Sequence, residues 1–338
     1  MSKAKFFDVL RKAFKYILPP AISVGLCYVL FTGVNFSEMM DKINDPGNNL
    51  WWIALALLLS GFSNIIRALR WRIQLLALNI NVPLKAVVNS IFGTYAVNLV
   101  LPRLGEIWRT GYIAQRQDAP FSVVFGSMIA ERMADTVTVL LLTVATFFLA
   151  GNEIVAFMQE YPQFYNLVIS IISSPWLWIG IAGFIAILWL IFTRCPNNII
   201  VVKVKGLVAG LWQGFAAVAT MKGKVKWVIL TFALWGCYFV QLYVAFFAFA
   251  ETAQVIGAHG IIAALVCFVL SSIAMGIPSN GGIGPWQIAV MFGLSMYGVS
   301  QVPALAFANL VLGTQTILII LLGLYAFVAI TLERRSRQ

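Results

Sequence analysis

Charged residues and histidine are scarce in this sequence. Only 10% of its 338 residues are Asp, Glu, Lys or Arg, whereas a soluble globular domain has about 25%. His259 is the single histidine, which excludes a site built from several histidines, and we interpret it as an interfacial residue. The four cysteines are scattered without a C-x-x-C pair. We therefore predict that they are apolar filler and that the protein uses no disulfide, metal or cofactor.

Apolar residues make up 61% of the chain, which predicts a membrane protein. A membrane-spanning helix needs about 20 predominantly apolar residues. Runs of this kind occur at Tyr16–Val34, Trp51–Ile66, Phe121–Ala150, Pro175–Phe192, Val225–Ala250 and Val302–Thr331. The first run follows basic residues, as in a signal peptide, but no small-residue cleavage site follows it, so we predict a retained anchor.

The net charge of +11 does not indicate a nucleic-acid partner, because the basic residues fall in separate blocks. The blocks are Lys3–Lys15, Arg67–Lys85, Arg194–Lys226 and Arg334–Arg337. They alternate with segments that hold mainly acids, namely Asn35–Leu50, Gly151–Ser174 and Glu251–Gly257. This alternation follows the positive-inside rule. It predicts six crossings of a plasma membrane with both termini in the cytoplasm.

Two apolar regions are interrupted by Pro and Gly, and each begins and ends on the same predicted side of the membrane. Residues 83–117 surround L-P-R-L-G-E, and residues 256–298 surround G-I-P-S-N-G-G-I-G-P-W. We predict that each dips into the membrane and returns as a re-entrant helical hairpin, cytoplasmic for the first and external for the second. Irregular backbone at membrane depth needs protein or a water-filled cavity around it.

The order of two spans, a hairpin and a third span occurs twice at similar spacing. Each unit crosses an odd number of times, so the second copy must be inverted, as in many transporters. The sequence thus predicts an all-α integral membrane protein with six transmembrane helices plus two re-entrant helical hairpins, arranged as an inverted-topology repeat. The predicted parts are a first repeat (1–150), an external connector (151–174), an inverted second repeat (175–332) and a basic cytoplasmic tail (333–338).

The tip of the second hairpin has the composition of a helix N-terminus with exposed backbone N–H groups. Such a terminus binds anions, and the natural anion here is a lipid phosphate. The predicted substrate-binding residues at this tip are Ser279, Asn280, Gly281, Gly282, Gly284 and Gln287. Close packing between helices is the alternative explanation for the glycines.

The first tip and the third span carry charges in an apolar setting, where charge is costly and usually functional. The substrate-binding residues predicted there are Asn98, Pro102, Arg103, Gly105, Glu106, Arg109, Glu131, Arg132 and Asp135. We expect Glu106 to lie within reach of Arg103, and Glu131 and Asp135 to share one helix face. Because acids outnumber bases in this predicted group, one carboxylate is expected to lack a partner. A purely structural ion pair is the alternative.

Three further arginines lie at the predicted cytoplasmic end of the second span. We predict that they orient the chain and bind anionic headgroups at the membrane surface, with guidance of the substrate as the alternative. These residues are Arg67, Arg70 and Arg72.

Four motifs occur in order along the chain: R-A-L-R-W (67–71), N-x-x-L-P-R-L-G-E-x-x-R (98–109), E-R-x-x-D (131–135) and P-S-N-G-G-I-G (278–284). Together they resemble the flippase-like family named after the membrane region of lysylphosphatidylglycerol synthases. The resemblance implies a bacterial or archaeal plasma-membrane protein that translocates lipid. Family members often have Glu where this chain has Gln287, which argues against a proton-linked role there. The aminoacyl-transferase domain of the synthases has no counterpart in the sequence, so lysyl transfer is not expected.

We therefore predict a lipid flippase or transporter that is not itself an enzyme. It would move a phosphate-containing or lipid-linked headgroup between leaflets through a cavity formed by the two tips. Membrane lipids are the expected partners, with no nucleic acid; a homo-oligomer is left open. A membrane-embedded lipid-modifying transferase and an accessory subunit of a lipid or glycan biosynthesis enzyme are the alternatives.

Overall fold

The computed structural model describes residues 36–160 and 220–335, together with residues 173–180 and single positions between these ranges. The predicted span Tyr16–Val34 lies outside the described residues, as does half of Pro175–Phe192. The last three residues of the predicted tail, 336–338, lie outside them too.

The described residues form helices joined by short turns. In chain order the helices are α1 (Phe36–Ile43), α2 (Trp51–Ala77), α3 (Leu84–Val100), α4 (Leu104–Arg116), α5 (Phe121–Leu149), α6 (Gly151–Glu160), α7 (Lys224–Ala245), α8 (Ala250–Ala274), α9 (Pro285–Ser295) and α10 (Gln301–Arg335). A short 3₁₀ turn, Phe246–Ala248, extends α7.

Within the described part of the chain, five helices are long and apolar enough to cross a membrane: α2, α5, α7 with its 3₁₀ extension, α8 and α10. The predicted all-α membrane protein is confirmed at this level. Helix α8 has 25 residues, enough by length to cross a membrane, but its backbone is kinked at Gly260, where φ is 65° and ψ is −155°. The six-span count, the two re-entrant hairpins, the inverted repeat and the division into parts therefore stay predictions.

Helix α2 shows how these helices are built for a membrane. Its buried polar residues recur every three or four positions, at Ser60, Ser63, Asn64, Arg67, Arg70 and Gln74. Large apolar side chains on other faces are exposed, including Leu58 and Phe62. This is the reverse of a soluble amphipathic helix. It suits a helix that presents apolar groups to lipid and polar groups to other helices.

Two large apolar cores, and a smaller one of Ile66, Leu234 and Cys237, hold the described helices together. One centres on Phe246, Phe249 and Phe307, whose rings meet edge to face. The other surrounds Trp71 and Leu75 where α2 packs on α3, α4 and α5. Helix α2 also packs along α7, and α3 along α10. The polar face of α2 therefore lies in the interior between the two cores.

Helix α1 is fixed to the end of the bundle where α2 begins. The Met39 side chain is buried in the first core, and Lys42 Nζ donates a hydrogen bond to Glu251 Oε1 at 2.8 Å. This hydrogen bond raises the pKa of Lys42 above its usual value. The segment that the sequence predicts to be an external loop is thus anchored to α8.

Candidate functional site: a buried arginine and carboxylate cluster

Two carboxylates on α5 form the centre of the candidate site. Glu131 and Asp135 are one helical turn apart and therefore share a face, as the sequence predicts. Glu131 is fully buried and Asp135 is 8% exposed. Glu131 lies about 15 Å along α5 from its first residue, well inside the apolar length of the helix. Both carboxylates therefore need partners.

Arginines from α2 supply the first set of partners. Arg67 Nη1 lies 2.9 Å from Glu131 Oε1 and 3.3 Å from Asp135 Oδ2. Arg70 Nη2 lies 2.7 Å from Asp135 Oδ1 and 3.2 Å from Glu131 Oε1. Arg67 and Arg70 are three residues apart on one face of α2, and the two acids are four residues apart on α5, so each pair spans about one helical turn. Each of the two arginines on α2 therefore pairs with both acids on α5.

Two further arginines complete the cluster. Arg109 of α4 is buried, and its Nη2 lies 2.9 Å from Glu131 Oε2. Arg132 Nη2 lies 2.9 Å from Glu131 Oε1 and 3.2 Å from Asp135 Oδ2. The Arg132 side chain is 34% exposed, whereas those of Arg67, Arg70 and Arg109 are nearly inaccessible. Arg132 is therefore the accessible edge of the cluster.

Aromatic rings support the buried arginines. The Arg109 guanidinium lies 4.4 Å from the Trp71 ring centre, and Arg70 lies 5.6 Å from that of Trp227. Cations over aromatic faces are stabilised, more so where water is excluded. Arg67 donates hydrogen bonds from Nε and Nη2 to the Tyr238 hydroxyl at 3.1 and 2.9 Å. Helix α7 thereby contributes to the cluster from the second half of the chain.

The cluster corrects two expectations. Arg67 and Arg70, which were expected to bind headgroups at the membrane surface, are buried inside the bundle, where Glu131 and Asp135 pair with them. The charge balance is also the reverse of the one expected, since among the described residues four arginines meet two carboxylates here. Arg72 is the remaining arginine of that group. It is half-buried, and its Nε donates to the Val82 carbonyl at 2.8 Å.

The first tip, between α3 and α4, lies apart from this cluster. Asn98 Oδ1 accepts a hydrogen bond from the Gly105 N–H at 2.8 Å, and its Nδ2 donates to Glu106 Oε2 at 3.2 Å. Glu106 is therefore held by Asn98, and the expected contact with Arg103 is not made. A Cβ on Gly105 would lie 2.1 Å from the Thr94 carbonyl oxygen. This glycine lets α4 return closely along α3.

The second tip is more enclosed than the sequence predicts. Gly281, Gly282 and Gly284 have positive φ angles of 61°, 86° and 93°, which side chains rarely adopt. A Cβ on Gly282 would lie 2.5 Å from Met275 Sδ, so close packing accounts for this glycine. Gln287 is buried, and its Oε1 accepts from the Gly284 N–H at 2.8 Å.

Gln287 also ties this tip to the last helix. Its Nε2 donates a hydrogen bond to Asn309 Oδ1 on α10. A glutamate at this position could accept from Gly284 but could not donate to Asn309 when ionised. The amide therefore serves both contacts.

The structure brings the two tips together. Arg103 takes a left-handed conformation with φ of 64°, and its Nη2 donates to the carbonyls of Met275 and Gly276 at 3.1 and 3.0 Å. In return, Asn280 Nδ2 donates to the Leu99 carbonyl at 3.1 Å. Pro102 lies half-buried beside this contact and Ser279 is half-buried at the second tip. Among the predicted residues, Arg103 and Asn280 thus link the tips, while Arg109, Glu131, Arg132 and Asp135 form the ion cluster.

Residues on α7 were not predicted for the site. Tyr238 bonds Arg67, and Thr231 Oγ1 lies 3.4 Å from Arg70 Nη1. Tyr and Thr are ordinary in an apolar helix, so their types give no signal. The one-turn spacing of both the α2 arginines and the α5 acids was a usable signal for that pairing.

The family model described as the lysylphosphatidylglycerol synthase TM region matches residues 16–323. The chain belongs to this family. Membership in the lysylphosphatidylglycerol synthase TM-region family, together with the apolar helices, identifies a multi-pass membrane protein with a lipid-related function. No curated protein and no solved structure matched the chain.

Proposed function

We propose that this protein moves a phosphate-containing or lipid-linked headgroup between the leaflets of a bacterial plasma membrane, without chemistry of its own. The observation that carries the proposal is the excess of guanidinium groups in the cluster of Arg67, Arg70, Arg109 and Arg132 around two carboxylates. A buried net charge is costly unless a counter-charge accompanies it. A phosphate that enters the cluster supplies this counter-charge.

The donor groups of the cluster also favour an anion. The Nε–H groups of Arg70 and Arg109 are buried and have no hydrogen-bond acceptor among the described residues. A buried donor without an acceptor costs about 1–3 kcal/mol. Guanidinium donors match phosphate oxygens in geometry as well as charge, so a phosphate would satisfy both the charge and the donors.

The tips supply a means of access. The side-chain hydrogen bonds that link them in the described structure come from Arg103 and Asn280 and end on backbone carbonyls. Such bonds can exchange for water without leaving a charge unpaired in a dry interior. We propose that the tips separate to admit the headgroup and that the other predicted tip residues line the opened passage.

The test is lipid exchange by the purified protein in liposomes. The probe is phosphatidylglycerol with a fluorescent acyl chain, whose outer-leaflet fraction is removed by a membrane-impermeant reductant. We expect faster exchange than in protein-free liposomes and in liposomes with heat-inactivated protein, and an unchanged lipid mass spectrum. Exchange no faster than in these controls would contradict the proposal. A new headgroup mass would instead support the transferase alternative.

A further inference from the structure

Beyond the charged cluster, three neutral polar side chains meet between α2, α7 and α10. Gln315 Nε2 donates a hydrogen bond to Ser60 Oγ at 2.5 Å. Gln241 Nε2 donates to Gln315 Oε1 at 3.2 Å. The most apolar stretch of α10 has a mean hydropathy of 2.3, so an amide side chain on this helix is unusual. We refer to Ser60, Gln241 and Gln315 as the amide triad.

The amide triad continues the polar face of α2 beyond the cluster. Ser60 and Arg67 are two helical turns apart on the buried face, which corresponds to about 10 Å along the helix. On α7, Gln241 lies one turn beyond Tyr238, which bonds Arg67. Both helices therefore carry polar groups from the cluster toward the end of the bundle where α2 begins.

Within the described part of the chain, the contacts of the amide triad leave some of its donors unused. Each amide nitrogen carries two N–H groups and uses one in the contacts above. The Ser60 hydroxyl accepts from Gln315 and keeps its own O–H. Ser60 is buried, whereas Gln241 and Gln315 are half-buried and so can reach a ligand. These neutral donors lie close together inside the bundle. They could donate hydrogen bonds to the oxygen atoms of a phosphate that has left the arginines.

We propose that the amide triad is a second binding station for the phosphate of the translocated lipid, reached from the charged cluster along the seam between α2 and α7. This inference rests on the proposed function, and it adds residues and a route to it. Because the station has no charge, it holds the phosphate less tightly than the cluster. A weak station next to a strong one allows the headgroup to continue rather than remain bound.

Two variants of the amide triad separate this role from a simple hydrogen-bonded clamp between helices. Gln241→Leu removes one donor pair and leaves the bond between Gln315 and Ser60 intact. Gln315→Glu retains acceptors for Gln241 Nε2 and for the Ser60 hydroxyl, but it removes donors and adds negative charge. The two roles differ in what their loss changes: loss of a clamp lowers the unfolding temperature, whereas loss of a phosphate station slows exchange while the unfolding temperature stays the same. Thr316→Val is the matched control, because the Thr316 hydroxyl bonds the Leu312 carbonyl of its own helix.

The measurements are exchange of acyl-labelled phosphatidylglycerol in liposomes and thermal unfolding in detergent. We expect exchange at least about tenfold slower in Gln241→Leu and Gln315→Glu, the factor that corresponds to about 1.4 kcal/mol in the barrier. Their unfolding temperatures should stay close to that of Thr316→Val, which should exchange lipid at the wild-type rate.

The result that overturns the inference is wild-type exchange in Gln315→Glu and Gln241→Leu while the wild-type protein is active. Slower exchange that follows lowered unfolding temperatures in both variants would make the triad a clamp and would also overturn it. Absence of exchange in the wild-type protein would instead contradict the proposed function, and the inference with it.

Discussion

Glu131→Gln should destabilise the protein much more than Glu106→Gln, although the chemical change is identical. Glu131 accepts from Arg67, Arg70, Arg109 and Arg132 and is fully buried. Without its charge, four guanidinium groups would face Asp135 alone. Removal of one member of a buried ion-pair network costs about 3–5 kcal/mol. We expect a loss of this size for Glu131→Gln.

Glu106→Gln is the matched control. Glu106 is half-buried, and its side chain accepts one hydrogen bond, from Asn98 Nδ2. Glutamine can accept the same bond through its own carbonyl oxygen. We therefore expect a change of less than about 1 kcal/mol, the usual net worth of one hydrogen bond.

The assay is thermal unfolding of both variants in the same detergent and at equal protein concentration, with a titration of denaturing detergent as a second measure. A marked loss for Glu131→Gln and a near-native value for Glu106→Gln is the expected result. Equal stability of the two variants would refute the reasoning, because it would mean that the cluster is hydrated and that Glu131 is not held by its arginines.

Two further predictions concern the tip and the topology. Gly105→Ala should lower the unfolding temperature because its Cβ would lie 2.1 Å from the Thr94 carbonyl oxygen, whereas Gly111→Ala, with open space at its Cβ, should be neutral or stabilising; equal effects would contradict the close approach of α3 and α4. Single-cysteine reporters at Lys42 and Gln159 should react from outside intact cells, and reporters at Lys203 and Gln338 only after permeabilisation. External reaction at Lys203 would contradict the six-span inverted topology.

The all-helical membrane fold was predictable because apolar length and charge alternation are local properties of the sequence. The interruptions of the apolar runs at Pro102 and between Pro278 and Pro285 could be predicted for the same reason. In the structure each of them is a turn between two helices. The grouping of Glu131 with Asp135 followed from helical spacing alone. These features needed no knowledge of how the helices pack.

The partners of the charged residues were not predictable, because they depend on which helix faces meet. Arg67 and Arg70 have the position of ordinary membrane-surface arginines, and only the packing of α2 on α5 and α7 makes them interior groups. The same packing reverses the expected charge balance. Asp135→Asn should therefore lower the stability of the protein, since this change would leave Arg70 without its closest partner.

The most direct test of the central claim is lipid exchange by Arg132→Gln. Arg132 is the accessible arginine of the cluster, and its removal leaves Glu131 and Asp135 paired with Arg67 and Arg70, so folding should be preserved. Arg72→Gln, which lies outside the cluster, is the control. We predict that Arg132→Gln unfolds near the wild-type temperature yet moves acyl-labelled phosphatidylglycerol much more slowly, whereas Arg72→Gln moves it at the wild-type rate. Equal exchange by wild type, Arg132→Gln and Arg72→Gln would contradict the claim that excess positive charge in the cluster carries the headgroup.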